Sequence, residues 1–343
     1  TWTLGAHRIG NLIWNRKTFH KVFDGIDSEH LIISMKYGQG DFFRNLELNP
    51  LFFETKHKKI VELQAKREYD GFGDLPYYVG FDYSRFIERL KKEPSVIGIA
   101  VWCQKGGWTS KKSLTFLENS SRWTELNTYA TVKLFQTGMS PEQIVKRFFD
   151  WKTYEFLAVY WDITNRLFFP KHSPLYFRRM RIPPTFWIYW NHIIVNKYVK
   201  AFHESMRLEY ESVKFKEIER LHSLGKKAKV TDNDYIYHTL KTIYYVRHLL
   251  LGKIGFQKAM KHVAGYRKRF ASYNFHIDSQ EGNRTLRLLL RLLVRKKERY
   301  RLVDKLLVSR TVSFVIRKIV SYKKKHLPAF VTSQAMGPET IFK

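Results

Sequence analysis

At 343 residues, with 44% hydrophobic and 16% aromatic side chains, the chain has enough material for two or three domains and a sizeable core, which excludes both a disordered tail and a disulfide-stapled miniprotein. Lys and Arg number 61 against 31 Asp and Glu, a formal +30, and the excess is uneven: residues 1–110 hold 16 basic and 13 acidic residues (+3), residues 111–343 hold 45 and 18 (+27). The single cysteine, Cys103, rules out an internal disulfide and a thiolate metal cluster, and no apolar run reaches the ~18 residues of a membrane span. The expected compartment is therefore one that does without disulfides, cytoplasmic or periplasmic. The chain opens at Thr1 with no signal-like segment, and is expected to be a fragment with its targeting information upstream.

In chain order, short apolar strands alternate with amphipathic helices over the first third, the rhythm of β/α units with parallel strands. Trp2–Ile9 reads as a strand and Leu12–Phe23 as a helix. Leu31–Met35 is a buried strand that runs into the glycine-loosened loop Lys36–Asp41. Lys59–Lys66 is the next strand, followed by Arg67-Glu68-Tyr69, then a helix over Tyr83–Lys92 and a strand over Val96–Trp102 that empties into Gln104–Trp108. From Leu114 onward helix signals take over. Ser140-Pro141-Glu142 combines an N-cap, a proline at the first helical position and an acid in the first turn, and predicts a helix from Pro141 to about Tyr160. A proline-rich interruption, Pro170 to Pro184, precedes a helical stretch to about Leu224. A loop over Gly225–Asp234 and helices over Tyr235–Lys253, Gly255–Arg269 and Arg284–Lys325 complete the chain.

Three consecutive strand ends present polar residues: Lys36 and Asp41, then Glu68, then Gln104 and Trp108. In β/α barrels the C-terminal strand ends form the active face. Two carboxylates from neighbouring strands, Asp41 and Glu68, suit glycoside hydrolysis, in which one group activates water while a partner acid protonates the leaving oxygen. The alternative is local: Asp41 caps a turn and Glu68 pairs with Arg44 or Lys66. With 26 Phe, 20 Tyr and 9 Trp, rings left at a surface could stack on sugars or bases. Trp102 and Trp108 are the candidates at strand ends, unless they only pack the rim. No metal or cofactor is expected: His7, His20, His30 and His57 are scattered, and neither a phosphate-binding glycine loop nor a Gly-x-Ser-x-Gly elbow occurs. Cys103 has no histidine beside it and is expected to be buried or inert.

The run Ile33–Phe42, with Arg44 and Pro50-Leu51-Phe52 after it, resembles the Lys-Asn-Gly-Pro-x-Asp-Phe…Arg…Ser-Pro-Leu segment of the family 67 α-glucuronidases, and Glu62–Gly71 is similar to that family's Glu-Leu-Gln-Ile-Thr-Gln-Glu-Tyr-x-Gly. Ile97–Val101 through Trp108-Thr109, then Met139–Ile144, resembles the last barrel strand and the helix after it, so the resemblance spans about residues 1–150. It implies the C-terminal half, strands five to eight, of a (β/α)8 barrel over residues 1–138, followed by a basic all-α domain over residues 139–343. It also implies that Asp41 and Glu68 activate water in an inverting hydrolysis of an acidic or polar saccharide. Lys36 takes the place of a lysine that contacts the sugar acid's carboxylate, a charge-assisted pairing, and Tyr37 and Arg44 lie in the same substrate-binding segment. Two departures bear on substrate. The family's general acid, a glutamate on an earlier strand, would precede Thr1, so this chain alone is expected to be inactive; and the carboxylate-holding arginine falls on Thr3, with Arg8 nearby.

Residues 284–325 hold 15 basic and 2 acidic residues, with Arg284, Arg287, Arg291, Arg295 and Lys296 interleaved among leucines. Such a helix can pack its stripe in a helical domain, lie on an anionic membrane surface or approach a polyanion. No nucleic-acid-binding signature accompanies it. A second expectation for the whole chain follows, a non-catalytic protein that binds an anionic glycan or membrane through Arg284–Lys325.

Overall fold

Strand β2 (Lys58–Gln64) alternates apolar Val61 and Leu63 with polar Glu62 and Gln64, so only one of its faces belongs in a core. The computed structural model describes residues 12, 15–38, 48–65, 78–103, 109–110, 120–168, 212–250, 253–269 and 275–276. There, β2 lies between β1 (Ile32–Lys36) and β3 (Val96–Trp102) in a parallel sheet of order β1-β2-β3. Ser34 pairs in register with Ile60 and Lys36 with Glu62; Glu62 pairs with Ala100 and Gln64 with Trp102, past a register shift between Lys59 and Ile60. Parallel neighbours require crossover connections. Between β1 and β2 the crossover includes a 3-10 turn, Pro50–Phe53; between β2 and β3 it carries helices α2 (Val79–Tyr83) and α3 (Ile87–Lys91).

Ile33, Met35, Val61 and Leu63 share one hydrophobic core with Tyr83, Phe86, Ile87 and Leu90, and with Phe19 of α1 (Arg16–Phe23). Complete burial of side chains such as Val61 and Leu63 contributes about 1.5–3 kcal/mol each. β2 is pinned at both ends. At its start the fully buried Lys59 donates from Nζ to the Thr55 carbonyl (2.7 Å) and to the Ser95 hydroxyl, which donates in turn to Glu93 Oε1 (2.5 Å). Burial pushes the Lys59 ammonium below the ordinary lysine range. At its end the Tyr83 hydroxyl accepts from the Gln64 N–H (3.0 Å) and donates to the Gln64 carbonyl (2.9 Å).

Beyond β3 come a short strand β4 (Thr109–Ser110), paired antiparallel with β5 (Phe275–His276), and the helices α4 (Ser120–Thr137), α5 (Pro141–Phe148), α6 (Trp151–Phe168), α7 (Phe215–Lys227), α8 (Asn233–Leu250) and α9 (Phe256–Arg269). α4 ends at Gly138, whose φ of 67° lies in the left-handed region that glycine tolerates. The chain then enters α5 through a complete capping box, with Ser140 Oγ accepting from Gln143 N–H and Gln143 Oε1 from Ser140 N–H. The helix expected to run on to about Tyr160 breaks instead, because Asp150 caps a new one: its Oδ1 accepts from the Thr153 backbone (2.9 Å) and hydroxyl (3.0 Å). The helix expected over Tyr83–Lys92 begins only at Ile87, as α3, after α2 has ended at Tyr83, and the loop expected from Gly225 begins only after α7 ends at Lys227. Gly225 is needed where it stands, since a Cβ there would come 2.0 Å from Asn233 Oδ1.

The core runs without interruption from Phe19 through Ile144 and Phe156 to Tyr266. Polar ties reinforce it: Tyr78 Oη donates to the Pro141 carbonyl, Asn127 Oδ1 accepts from Val79 N–H, and Trp161 Nε1 donates to Asp82. The strand expected over Trp2–Ile9 and the helix over Arg284–Lys325 lie outside the described residues.

Candidate functional site

Strand alternation sorts the residues of the sheet. Ser34 and Lys36, Ile60, Glu62 and Gln64, and Ala100 share one face, opposite the face that packs on the helices, while Trp102 at the end of β3 packs against the hydrophobic core. That face borders a cavity of about 870 Å³, within the range of small-molecule sites. Ser34, Lys36 and Glu62 provide its polar lining, and Val22, Phe23, Leu31 and Ile60 are among its apolar walls. The α1 wall is held by charge. Glu54, at the end of the 3-10 turn, takes Arg16 Nε at 2.7 Å and His20 Nε2 at 3.0 Å, while His20 Nδ1 meets Asp24 at 2.9 Å. The hydrogen bonds to Asp24 and then Glu54 raise the His20 imidazole above its usual range.

Lys36, expected to contact substrate, is 8% exposed and lines the cavity from the C-terminal end of β1. Tyr37 follows it and turns to the other face: its ring stacks on Phe86 (5.5 Å between centroids, 14° between planes) and meets Tyr83 edge-on, and its N–H donates to the Glu62 carbonyl. Trp102 is half-buried at the end of β3, where its carbonyl accepts from Ala65 N–H. Asp41, Arg44, Glu68 and Trp108 lie outside the described residues, as does Arg284–Lys325. Of the two alternatives expected for Cys103, buried or inert, burial is corrected: it is exposed, with its sulfur 3.4 Å from the Thr128 hydroxyl. It follows the outer strand of the described sheet, every residue of which is at most half-buried, so the burial expected of a free thiol has nothing to bury it.

Two residues of the site went unremarked in the sequence. Ser34 donates to Glu62 Oε1 at 2.6 Å, and Glu62, 2% exposed, closes the polar floor beside Lys36. The signal was present as the period-two pattern of Val61-Glu62-Leu63-Gln64, which puts both polar residues on the face away from the core; attention to strand ends alone passes over it. Chemically the arrangement offers a cation, a hydroxyl and a carboxyl against apolar walls, a set suited to a ligand with both hydroxyl groups and a C–H face. Among the described residues no group of three or more His, Cys, Asp or Glu side chains converges to hold a metal ion, and no helix is long and apolar enough to cross a membrane. No protein-family model, curated protein or solved structure matches the chain.

Proposed function

We propose that this chain belongs to a glycoside hydrolase acting with inversion on an acidic or polar saccharide, and that its parallel sheet is part of a (β/α)8 barrel. The observation that supports the reading is the adjacency of β1 and β2: the two strands that precede Asp41 and Glu68 in the sequence are hydrogen-bonded parallel neighbours, and Lys36 at the C-terminal end of β1 lines the cavity. In this scheme Asp41 and Glu68 orient a water and take its proton as its oxygen attacks the anomeric carbon. The glycosidic C–O bond breaks on the opposite side, and a carboxylic acid from an earlier strand protonates the leaving oxygen. Lys36 pairs with the carboxylate of a uronic acid, and Trp102 or Trp108 offers a ring face to the pyranose.

The test uses the natural polypeptide that contains these residues, incubated with an α-linked aryl glucuronoside and followed by proton NMR. The reading predicts that the β anomer of glucuronate appears first and then mutarotates. First appearance of the α anomer, or no release of the sugar from any uronoside, contradicts it.

A further inference from the structure

Glu62 is a costly residue for its position. It lies mid-strand in the middle strand of the described sheet, 2% exposed, with Val61 and Leu63 beside it fully buried. Ser34 satisfies Oε1, but Oε2 is withdrawn from solvent and has no hydrogen-bond partner among the described residues. Buried carboxyl oxygens are nearly always paired, because leaving one unpaired forfeits its hydration without replacement. An apolar side chain of the same size would fill the position without that penalty. The unpaired oxygen belongs to a residue that lines the cavity, in register with Lys36 on the same face of the neighbouring strand.

We propose that Glu62 is a ligand-binding residue: on binding, its carboxyl turns toward the cavity that it lines, and Oε2 accepts a hydrogen bond from a ring hydroxyl of the saccharide that Lys36 engages through its carboxylate. This rests on the carbohydrate reading above and names what it leaves open, how the site recognises the rest of the sugar. Parallel strands run about 4.8 Å apart, so residues in register on one face reach neighbouring substituents of a single pyranose. The cation takes an anionic substituent and the carboxyl takes a donor. Phe23 and Val22 of α1, which also line the cavity, offer apolar surface to the C–H face of the ring. A polyhydroxylated ring with one carboxylate meets these demands together, whereas a polyanion or a purely apolar ligand leaves Glu62 opposed or unpaired.

The experiment titrates the 343-residue chain with D-glucuronate by calorimetry and measures the unfolding temperature without ligand. In the double variant Ser34→Ala/Glu62→Met both partners become apolar together, an exchange that is close to neutral or stabilising when a buried group was unsatisfied. The expected result is an unfolding temperature at or above that of the wild type, with affinity for glucuronate lower by about tenfold or more. Glu62→Gln, which keeps an acceptor for Ser34 and places an amide donor at the other position, should lose affinity similarly. A double variant that binds as tightly as the wild type, or that unfolds at a lower temperature or fails to fold, overturns the role of Glu62 and makes it structural. Lys36→Met separates the two readings. Lost binding in that variant with unchanged binding in both Glu62 variants sinks the inference and leaves the carbohydrate reading standing, whereas a wild-type chain that binds no glucuronate sinks both.

Discussion

At the end of β2 the Tyr83 hydroxyl takes both the N–H and the C=O of Gln64 on the side that β1 no longer covers. It completes a ladder that would otherwise leave two buried backbone groups unpaired, beside the strand end that leads toward Glu68. Tyr83→Phe should therefore lower stability by about 2 kcal/mol, read as a fall in the denaturation midpoint with an unchanged slope; a midpoint within error of the wild type would mean that water replaces the hydroxyl. Individual residues differed in how legible they were. Lys36 stood out because a lysine at a strand end next to glycines has a functional look, and the structure does put it at the cavity. Glu62 did not, because its meaning depends on which strand faces which layer, information that lies in tertiary register. For Cys103 only the burial alternative failed, because a thiol's burial depends on whether its strand is inner or outer, and composition carries no trace of that.

Among the elements, helix starts were the most readable feature. Ser140-Pro141-Glu142-Gln143 encodes its cap locally and forms it, and Val96–Trp102 is a strand as its apolar run requires. Helix breaks were harder to see: apolar periodicity continues through Phe148–Trp151, and only the competition from the Asp150 cap splits α5 from α6. The α7–α8–α9 layer contains a second local competition, with a consequence for acid stability. His238 on α8 is pushed down to about 4 by burial first, then by Arg269 of α9 and Lys241; Asp234 opposes the shift and His222 of α7 adds to it. The unfolded imidazole takes its proton near 6.5 and the folded one only near 4, so within that window the unfolded state binds more protons and stability falls as the pH is lowered. His20, raised by Asp24 and Glu54, works in the opposite sense, adding stability that is present below the ordinary histidine value and lost as the pH climbs through its raised value. Comparison with His238→Gln isolates the first effect. The wild type should lose more of its unfolding temperature between pH 7 and pH 4.5 than the variant does, and parallel curves would show that His238 takes its proton equally in both states.

For the whole molecule, the +27 of residues 111–343 belongs to a different part of the chain from the polar face of the sheet, where the balance is nearly even. The parallel β1-β2-β3 order with helices on one face follows from the alternation of apolar strands and amphipathic helices, which is why this much of the architecture was readable in the sequence. Closure into a barrel depends on partners for the outer strands, and pairing between distant segments leaves no local pattern to read. The proposed chemistry likewise rests on two residues, Asp41 and Glu68, that are distant in sequence and follow adjacent strands along the chain. Measuring kcat for hydrolysis of an α-linked uronoside by the natural polypeptide and by its Asp41→Ala variant tests that claim most directly. Loss of the water-activating carboxylate should lower kcat by roughly a hundredfold or more with the unfolding temperature unchanged, whereas turnover equal to the wild type would contradict the assignment of Asp41 and, with it, the hydrolase reading of the sheet's C-terminal edge.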